Sequence, residues 1–529
     1  MALTPRAARF VTPGLLAALA AAVRFAALGN RPLWLDEAYA VLTAHRSPSA
    51  IVEALWTDGN PPGFYWLLHL WTSIFGTSEA AVRSLPALFG VAAVLAVWFV
   101  GRRVFPDRPR LATLAALVLA VSPLDVYYAH ECRAYALMPL LGVLALGTLH
   151  EALTTARARP FLLHGLVLAI GLYVHNWFLF LLPLGPAAAL LAPGVAGRGA
   201  ALRRTFLASA LATLAFAPWI PHLVAQGTSG AHAWIPPVFN ATPPWAAVLR
   251  SVEVLGVGGA YPGYLGALSE LPEALPLGVG WGVLRGLGVL LAFGILLAGD
   301  LLGARRGPER QAALRVVLLV SLPLVLPWLV SFIVKPIYVV GRYELVVSGG
   351  FALLVARGLD VLSDRLRYPL IAAWLLSAGL LLTAFFRAPP HELERRLAER
   401  LRDECRQGDV VVFPDYSRAV PQYYFQRWGA AIDARSFPAE VEGHLGWFDA
   451  EGALDRFVET RDEAQALAAS LQSTLRAGHR VFLVDWNRMP PLPEVNAVLR
   501  FALRERLGSP RIAWDPDPRQ GPYLYVFSL

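Results

Sequence analysis

Stretches of about 20 mostly apolar residues recur along three quarters of the chain, each long enough to cross a bilayer as a helix. They fall at 10–29, 84–101, 111–128, 134–151, 160–175, 177–193, 204–221, 281–302, 312–334, 344–360 and 369–386. Hydrocarbon offers no water to backbone N–H and C=O groups, so each run must satisfy its own as a helix. The expectation is a polytopic α-helical membrane protein of about eleven transmembrane helices. Composition agrees: 56% of the 529 residues are hydrophobic and only 16% charged, which excludes a water-soluble domain of this size. The net charge of +8 does not point to nucleic acid, because the arginines sit in short connectors between apolar runs. Lys335 is the only lysine, and alanine and leucine dominate, as in proteins of GC-rich bacteria. Cys132 and Cys405 fit neither a metal motif nor a disulfide framework.

Charge in the connectors tests the count, since short cytoplasmic loops collect Arg and Lys. With Arg6 and Arg9 inside, the inner connectors hold Arg102, Arg103, Arg108 and Arg110, then Arg157 and Arg159, Arg198, Arg203 and Arg204, Arg305, Arg306 and Arg310, and Arg365 and Arg367. Omitting one span would invert every later loop. An odd number of spans follows, with a cytoplasmic N-terminus and an extracytoplasmic C-terminus in a bacterial inner membrane. The first apolar run is longer than a signal-peptide core and reads as a retained anchor.

This topology divides the chain into a transmembrane domain, 1–386, and an extracytoplasmic domain, 387–529. Outer loops cover 30–83 and 222–280. The first reads as short amphipathic helices on the membrane surface, with Trp34, Trp56, Trp66 and Trp71 suited to the interface. The second is rich in Gly, Pro and aromatics and reads as irregular. In the C-terminal domain, DVVVFP (409–414), RVFLVDW (480–486) and segments near 511–515 and 523–528 read as strands. They alternate with helices at 391–406, 461–477 and 494–506, which makes a small α/β domain.

A charge in hydrocarbon costs about 2.5–3.5 kcal/mol on insertion scales, so its position is informative. The middles of the spans are nearly free of charge. Polar groups gather at the outer ends: Asp36 and Glu37, Asp58 and Asn60, Arg83, Asp125, His130, Glu131 and Arg133, His175 and Asn176, and Arg342 with Glu344. Group transfer from an amphiphilic phosphate suits this layout. The carrier keeps its tail in the bilayer and its phosphate at the interface, where cations stabilise the departing phosphate and a carboxylate takes the proton of the attacking hydroxyl. A transporter, flippase or binding scaffold for lipid-linked saccharides is the alternative, although an ion-coupled transporter more often carries its ionisable groups near the midplane. No Walker pattern, nucleophile elbow or phosphate-cradling glycine loop is present.

The segments RPLWLDEAYA (31–40), DGNPPGFYWLLHLW (58–71), RSLPALFG (83–90), SPLDVYYAHECRAYAL (122–137), LYVHNWFLF (172–180) and GRYELV (341–346) occur in this order. Together they resemble the membrane glycosyltransferases of the GT-C fold in family 39, which include protein mannosyltransferases and aminoarabinose transferases of lipid A. The resemblance covers about residues 10–386 and is loose beyond. It implies a hexosyl- or pentosyltransferase that moves a monosaccharide, with inversion, from a polyprenyl-phosphate donor to a lipid, glycan or protein acceptor.

The resemblance makes Asp36 the catalytic base with Glu37 beside it, Glu131 a second acidic residue, and Arg133 and Tyr135 contacts for the carrier phosphate. Arg342, Tyr343 and Arg83 are further candidates for that phosphate, and Asp58, Asn60 and His175 for the substrate. Each has a structural alternative. Asp36 suits the first turn of a helix, Glu131 and Arg133 could satisfy each other, Arg342 could snorkel to headgroups, and His175 could simply end a helix. Asn60 departs from a common family form with His before the two prolines. Asp36 and Glu131 leave room for a divalent metal, although no tight ligand spacing demands one, and no cofactor is assigned. Trp234, Trp245, Tyr261 and Tyr264 read as interface anchors or as stacking surfaces for sugars. The triplet Asn240, Ala241, Thr242 matches a glycosylation pattern without bearing on a bacterial protein.

Overall fold

A computed structural model of the chain describes residues 5–56, 58–228, 234–241, 243–257, 307–388, 390, 392–446, 448–486, 492–516 and 522–528. Every expected span on these residues coincides with a helix; the span at 281–302 lies outside them. Among the described residues, five stretches are long and apolar enough to cross a membrane unaided: Glu79–Val104, Ala134–Thr155, Arg198–Gly227, Pro308–Ile333 and Asp364–Arg387. Val11–Phe25, Ala158–Val174 and Asn176–Leu191 are shorter apolar helices. The protein is an integral membrane protein.

The first helices are α1 (Pro5–Phe25), α2 (Leu35–Ala44), α3 (Pro48–Ala54), α4 (Gly63–Phe75) and α5 (Glu79–Val104). Next, α6 (Pro109–Ala120) and α7 (Pro123–Ala129) follow one another across a bend of 56°. The bend has local causes. Pro123 opens α7, Ser122 Oγ accepts the Asp125 N–H at 3.3 Å, and the buried Arg24 guanidinium donates to the orphaned carbonyls of Leu119 (2.9 Å) and Ala120 (2.8 Å). The bundle continues through α8 (Leu137–Thr155), α9 (Ala158–Val174), α10 (Leu184–Leu191) and α11 (Arg198–Phe216).

Where the second outer loop is described it is helical, not irregular: α12 (Ile220–Thr228), α13 (Ile235–Asn240) and α14 (Ala247–Val257). Tyr261, Tyr264 and Thr242 fall outside the described residues. Then come α15 (Pro308–Ile333), α16 (Ser348–Val361) and α17 (Asp364–Arg387). Ser348 to Leu359 are all buried, so α16 forms the centre of the bundle. Exposed apolar side chains such as Leu162, Leu166, Leu211, Leu214 and Leu376 face outward, where lipid replaces water.

At the end of the bundle opposite Asp36, arginines tie connectors together. Arg108 pairs with Glu309 (2.9 Å) and Asp360 (2.8 Å), and Arg367 donates to the carbonyls of Leu359, Asp360 and Leu362 at the end of α16.

The C-terminal residues carry α18 (Leu393–Glu404), α19 (Ala419–Trp428), α20 (Ala450–Asp455), α21 (Phe457–Arg476) and α22 (Leu492–Leu507) around five strands. The strands are β1 (Val410–Pro414), β2 (Asp433–Phe437), β3 (Val481–Asp485), β4 (Arg511–Trp514) and β5 (Tyr523–Phe527), in the order β2-β1-β3-β5-β4. β1 runs parallel to β2 and β3, and β5 antiparallel to β3 and β4. The apolar runs of β1 and β3 are wholly buried, as parallel strands covered on both faces should be. β2 was not legible, because DARSF is a short, half-exposed edge without alternation.

This unit rests on the first outer loop. Tyr423 on α19 donates to the Thr77 carbonyl (2.7 Å), Tyr424 to Glu79 (3.0 Å), and Arg427 pairs with Glu79. The loop therefore differs from the expected surface helices: α2 is buried from Glu37 to Ala44 and packs against α19. Trp71 is likewise tied inward, to the Ala81 carbonyl (2.8 Å).

Candidate active site

Two carboxylates open α2, and the fold sends them to different places. Glu37 turns back. It accepts from the Trp34 N–H (3.4 Å), the Cys132 N–H (2.8 Å) and the Arg83 guanidinium (2.5 and 2.8 Å). Arg83 spends its other donors on the carbonyls of Leu28 (3.0 Å), Arg31 (2.7 Å) and Pro32 (2.9 Å). All five N–H groups of that guanidinium are then engaged by protein, and none is left for a phosphate. The pair is 6% and 1% exposed and fastens the turn before α2 to α5 and to the Cys132 loop.

Asp36 faces the other way and keeps 25% of its side-chain surface exposed. Its carboxylate meets Nη2 of Arg342 at 2.9 Å. Nε of Arg342 donates to the Tyr135 hydroxyl at 2.6 Å, and the rings of Tyr135, Trp234 and Tyr343 lie 5.1, 5.4 and 5.8 Å from the guanidinium carbon. A tight turn aims this arginine. Gly341 has φ +80°, open to glycine at no steric cost. Its N–H donates to Glu344 (2.6 Å), as do the Arg342 N–H (2.9 Å) and the Ser251 hydroxyl (2.7 Å), while Tyr128 donates to the Gly341 carbonyl (2.7 Å). Glu344 is thus the anchor of the turn.

Arg133 flanks Asp36 on the other side. Its Nη1 lies 3.2 Å from the Asp36 carbonyl and 3.5 Å from the Tyr65 hydroxyl. Glu131, two residues earlier, is buried beside Glu37 and hydrogen-bonded to Tyr127. Burial, together with the charge of Glu37, pushes its carboxyl up to about 7. His175 ends α9, its Nδ1 accepting the Trp177 N–H at 3.1 Å, and its ring lies 5.0 Å from that of Tyr343. Trp245 stays 69% exposed, away from these groups, as an interface anchor would.

Asp58 is 7% exposed and forms a turn with Asn60, accepting the backbone N–H (2.9 Å) and side-chain amide (2.8 Å) of that residue. Its second oxygen lies 3.3 Å from Nε2 of His444. Burial alone would raise this carboxyl; the hydrogen bond and charge of His444, with Arg133 and Asn60, bring it down to about 2. An ionised Asp58 only accepts, so His444 Nε2 carries the proton. Gln226 of α12 binds the Leu55 carbonyl (3.0 Å), and Asn176 binds the Gly59 carbonyl (3.1 Å), closing the loop from behind.

The structure thus gathers Asp36, Arg133, Tyr135, Arg342 and Tyr343, sets Asp58 and Asn60 in the adjoining loop within the electrostatic reach of Arg133, and sets Arg83 and Glu37 behind them. His444, Tyr65, Gln226 and Glu344 complete the arrangement. No spacing rule could have found His444, 386 residues from its partner. Among the described residues no three His, Cys, Asp or Glu side chains are grouped to hold a metal ion, so Asp36 and Glu131 do not form such a cage.

Residues 59–223 match the family model described as dolichyl-phosphate-mannose-protein mannosyltransferase. Among solved structures, ArnT from Cupriavidus metallidurans in the apo state is 15% identical, with 98% of either chain covered and a TM-score of 0.57. Its form bound to undecaprenyl phosphate gives 14%, 97% of either chain and 0.55. The chain has the GT-C fold. The apo oligosaccharyltransferase of Archaeoglobus fulgidus, 16% identical with a TM-score of 0.50, covers 78% of this chain, which spans 63% of the length of that protein. No curated protein matches. In this GT-C protein the family match spans Asn60 and α4 of the first loop, the Glu131–Arg133 segment and His175, whereas Asp36 and Arg342 lie outside it.

Proposed function

We propose that the chain is a glycosyltransferase that moves a monosaccharide, hexosyl or pentosyl, from a polyprenyl-phosphate donor to a lipid, glycan or protein acceptor at the outer membrane face. The contact that carries this reading is Asp36 to Arg342 at 2.9 Å, a half-open carboxylate held against a buried, aromatic-lined cation. A donor phosphate arriving at Arg342 competes with Asp36 for the same guanidinium. Binding therefore frees the carboxylate that the chemistry needs. The acceptor oxygen attacks the anomeric carbon, its proton passes to Asp36, and the bond from that carbon to the phosphate oxygen breaks. The departing lipid phosphate keeps the bonding electrons, stabilised by Arg342 and Arg133, and the anomeric centre inverts. Tyr135 orients Arg342 through its hydroxyl, and Glu131, whose carboxyl burial and the charge of Glu37 push up to about 7, can hold a proton and donate a hydrogen bond.

The arginine-rich connectors lie at the end of the bundle opposite Asp36, which supports a cytoplasmic N-terminus and an extracytoplasmic unit 387–529; a bacterial inner membrane is the proposed setting. The test is transfer from polyprenyl-phosphate sugars by the purified protein and by D36N. General-base loss lowers turnover about 10²–10⁴-fold. Undiminished transfer by D36N removes Asp36 as the base, and no transfer by the intact protein from any donor favours a lipid-saccharide flippase or scaffold.

A further inference from the structure

Asp58 stands between two basic side chains, His444 and Arg133, that belong to different parts of the molecule. His444 reaches it from the loop after β2, and Arg133 acts on it from the segment before α8. The His444 ring is stacked on Tyr39 of α2, centroids 4.3 Å apart and planes at 25°, one turn beyond Asp36. Two residues on, Gly446 lies so close to Tyr39 that a Cβ there would meet the ring at 2.8 Å. The segment is therefore clamped onto the helix that carries Asp36, with its imidazole directed at Asp58.

We propose that His444 is a positioning residue: by holding Asp58 it leaves Arg133 directed at Asp36 and the donor phosphate, which couples the C-terminal unit to the donor site. This rests on the reading of Arg133 and Arg342 as phosphate ligands. The physical reason is hydrogen-bond satisfaction at a buried carboxylate. Without His444, Asp58 keeps only the Asn60 hydrogen bonds, and Arg133, already acting electrostatically on this carboxylate, is left to compensate it. A guanidinium drawn to Asp58 is partly neutralised and turned from the phosphate. The C-terminal unit is then more than a cover, because its seating sets the charge of the donor pocket.

The experiment is a binding cycle on the full-length protein in nanodiscs, with undecaprenyl phosphate as the probe and thermal melting as the control. H444F keeps the stacking on Tyr39 and removes the N–H. It is expected to weaken binding about tenfold, the order of one lost buried partner. H444Q, which restores an N–H donor, should stay within about threefold of the intact protein, and D58N with H444F should recover most of the loss, because the stray carboxylate is gone. H444F that binds like the intact protein, or losses that merely add in the double variant, overturn the coupling while leaving the donor reading in place. Intact protein that does not bind the lipid phosphate overturns the donor reading and the coupling with it.

Discussion

The mouth of the site and the wall behind it hold the same chemistry, one carboxylate and one arginine each, with the two carboxylates drawn from adjacent positions of the chain. At the wall, Arg83 meets Glu37 and three carbonyls, and both partners are sealed from solvent. At the mouth, Arg342 meets Asp36 through one nitrogen, and the carboxylate keeps a quarter of its surface open. Function is separated from structure here by donor accounting. An arginine whose five N–H groups are all engaged by protein is a fastener, and one whose partner is an exposed carboxylate can exchange that partner for a ligand.

Paired substitutions test the contrast. D36N should lower turnover about 10²–10⁴-fold and leave melting unchanged; a melting loss as large as that of E37Q would end the distinction. E37Q should do the reverse. Leaving the Arg83 charge without its buried partner costs about 3–5 kcal/mol, read by chemical unfolding or loss of folded protein, and a stable E37Q would show that the wall is not a fastener. R342K keeps the charge but loses the fork and the stacked plane, so undecaprenyl-phosphate binding should weaken about tenfold, whereas full affinity would mean that charge alone suffices.

The smallest expected effect is on pH dependence. Glu131 rises from an ordinary 4.5 to about 7, so between those values the folded protein holds a proton that the unfolded chain has released. Stability then falls as pH rises through that window. Asp58, lowered from 3.8 to about 2, works oppositely and loses stability only as pH falls through that range. Melting temperatures of the intact protein and E131Q between pH 5 and 8 check this: E131Q should flatten the slope, and an unchanged slope would locate the titration elsewhere.

Much of the bundle was legible because the bilayer imposes one simple rule on long apolar runs. The break at Val121 and Ser122 was less so, since Ser-Pro marks a helix start but the Arg24 side chain that donates to the carbonyls of Leu119 and Ala120 comes from α1. Asp36, Arg133 and Arg342 were nominated by motif and by their place beside span ends. Their company was not. Arg83 carried the same signal as Arg342, and only the carbonyls of Leu28, Arg31 and Pro32 distinguish them. His444 sits in a glycine-flanked turn with nothing in its neighbourhood to mark it.

By itself the sequence determined that this protein lives in a membrane, how its helices follow one another, and that charge collects at their ends, because hydropathy and local charge act over the length of one helix. Which carboxylate stays open, which arginine is spent, and that a histidine from the C-terminal unit sits on Asp58 were decided by tertiary packing. Hydrogen-bond capacity is filled by whatever the fold brings within 3 Å or so, and that is a property of distance in space.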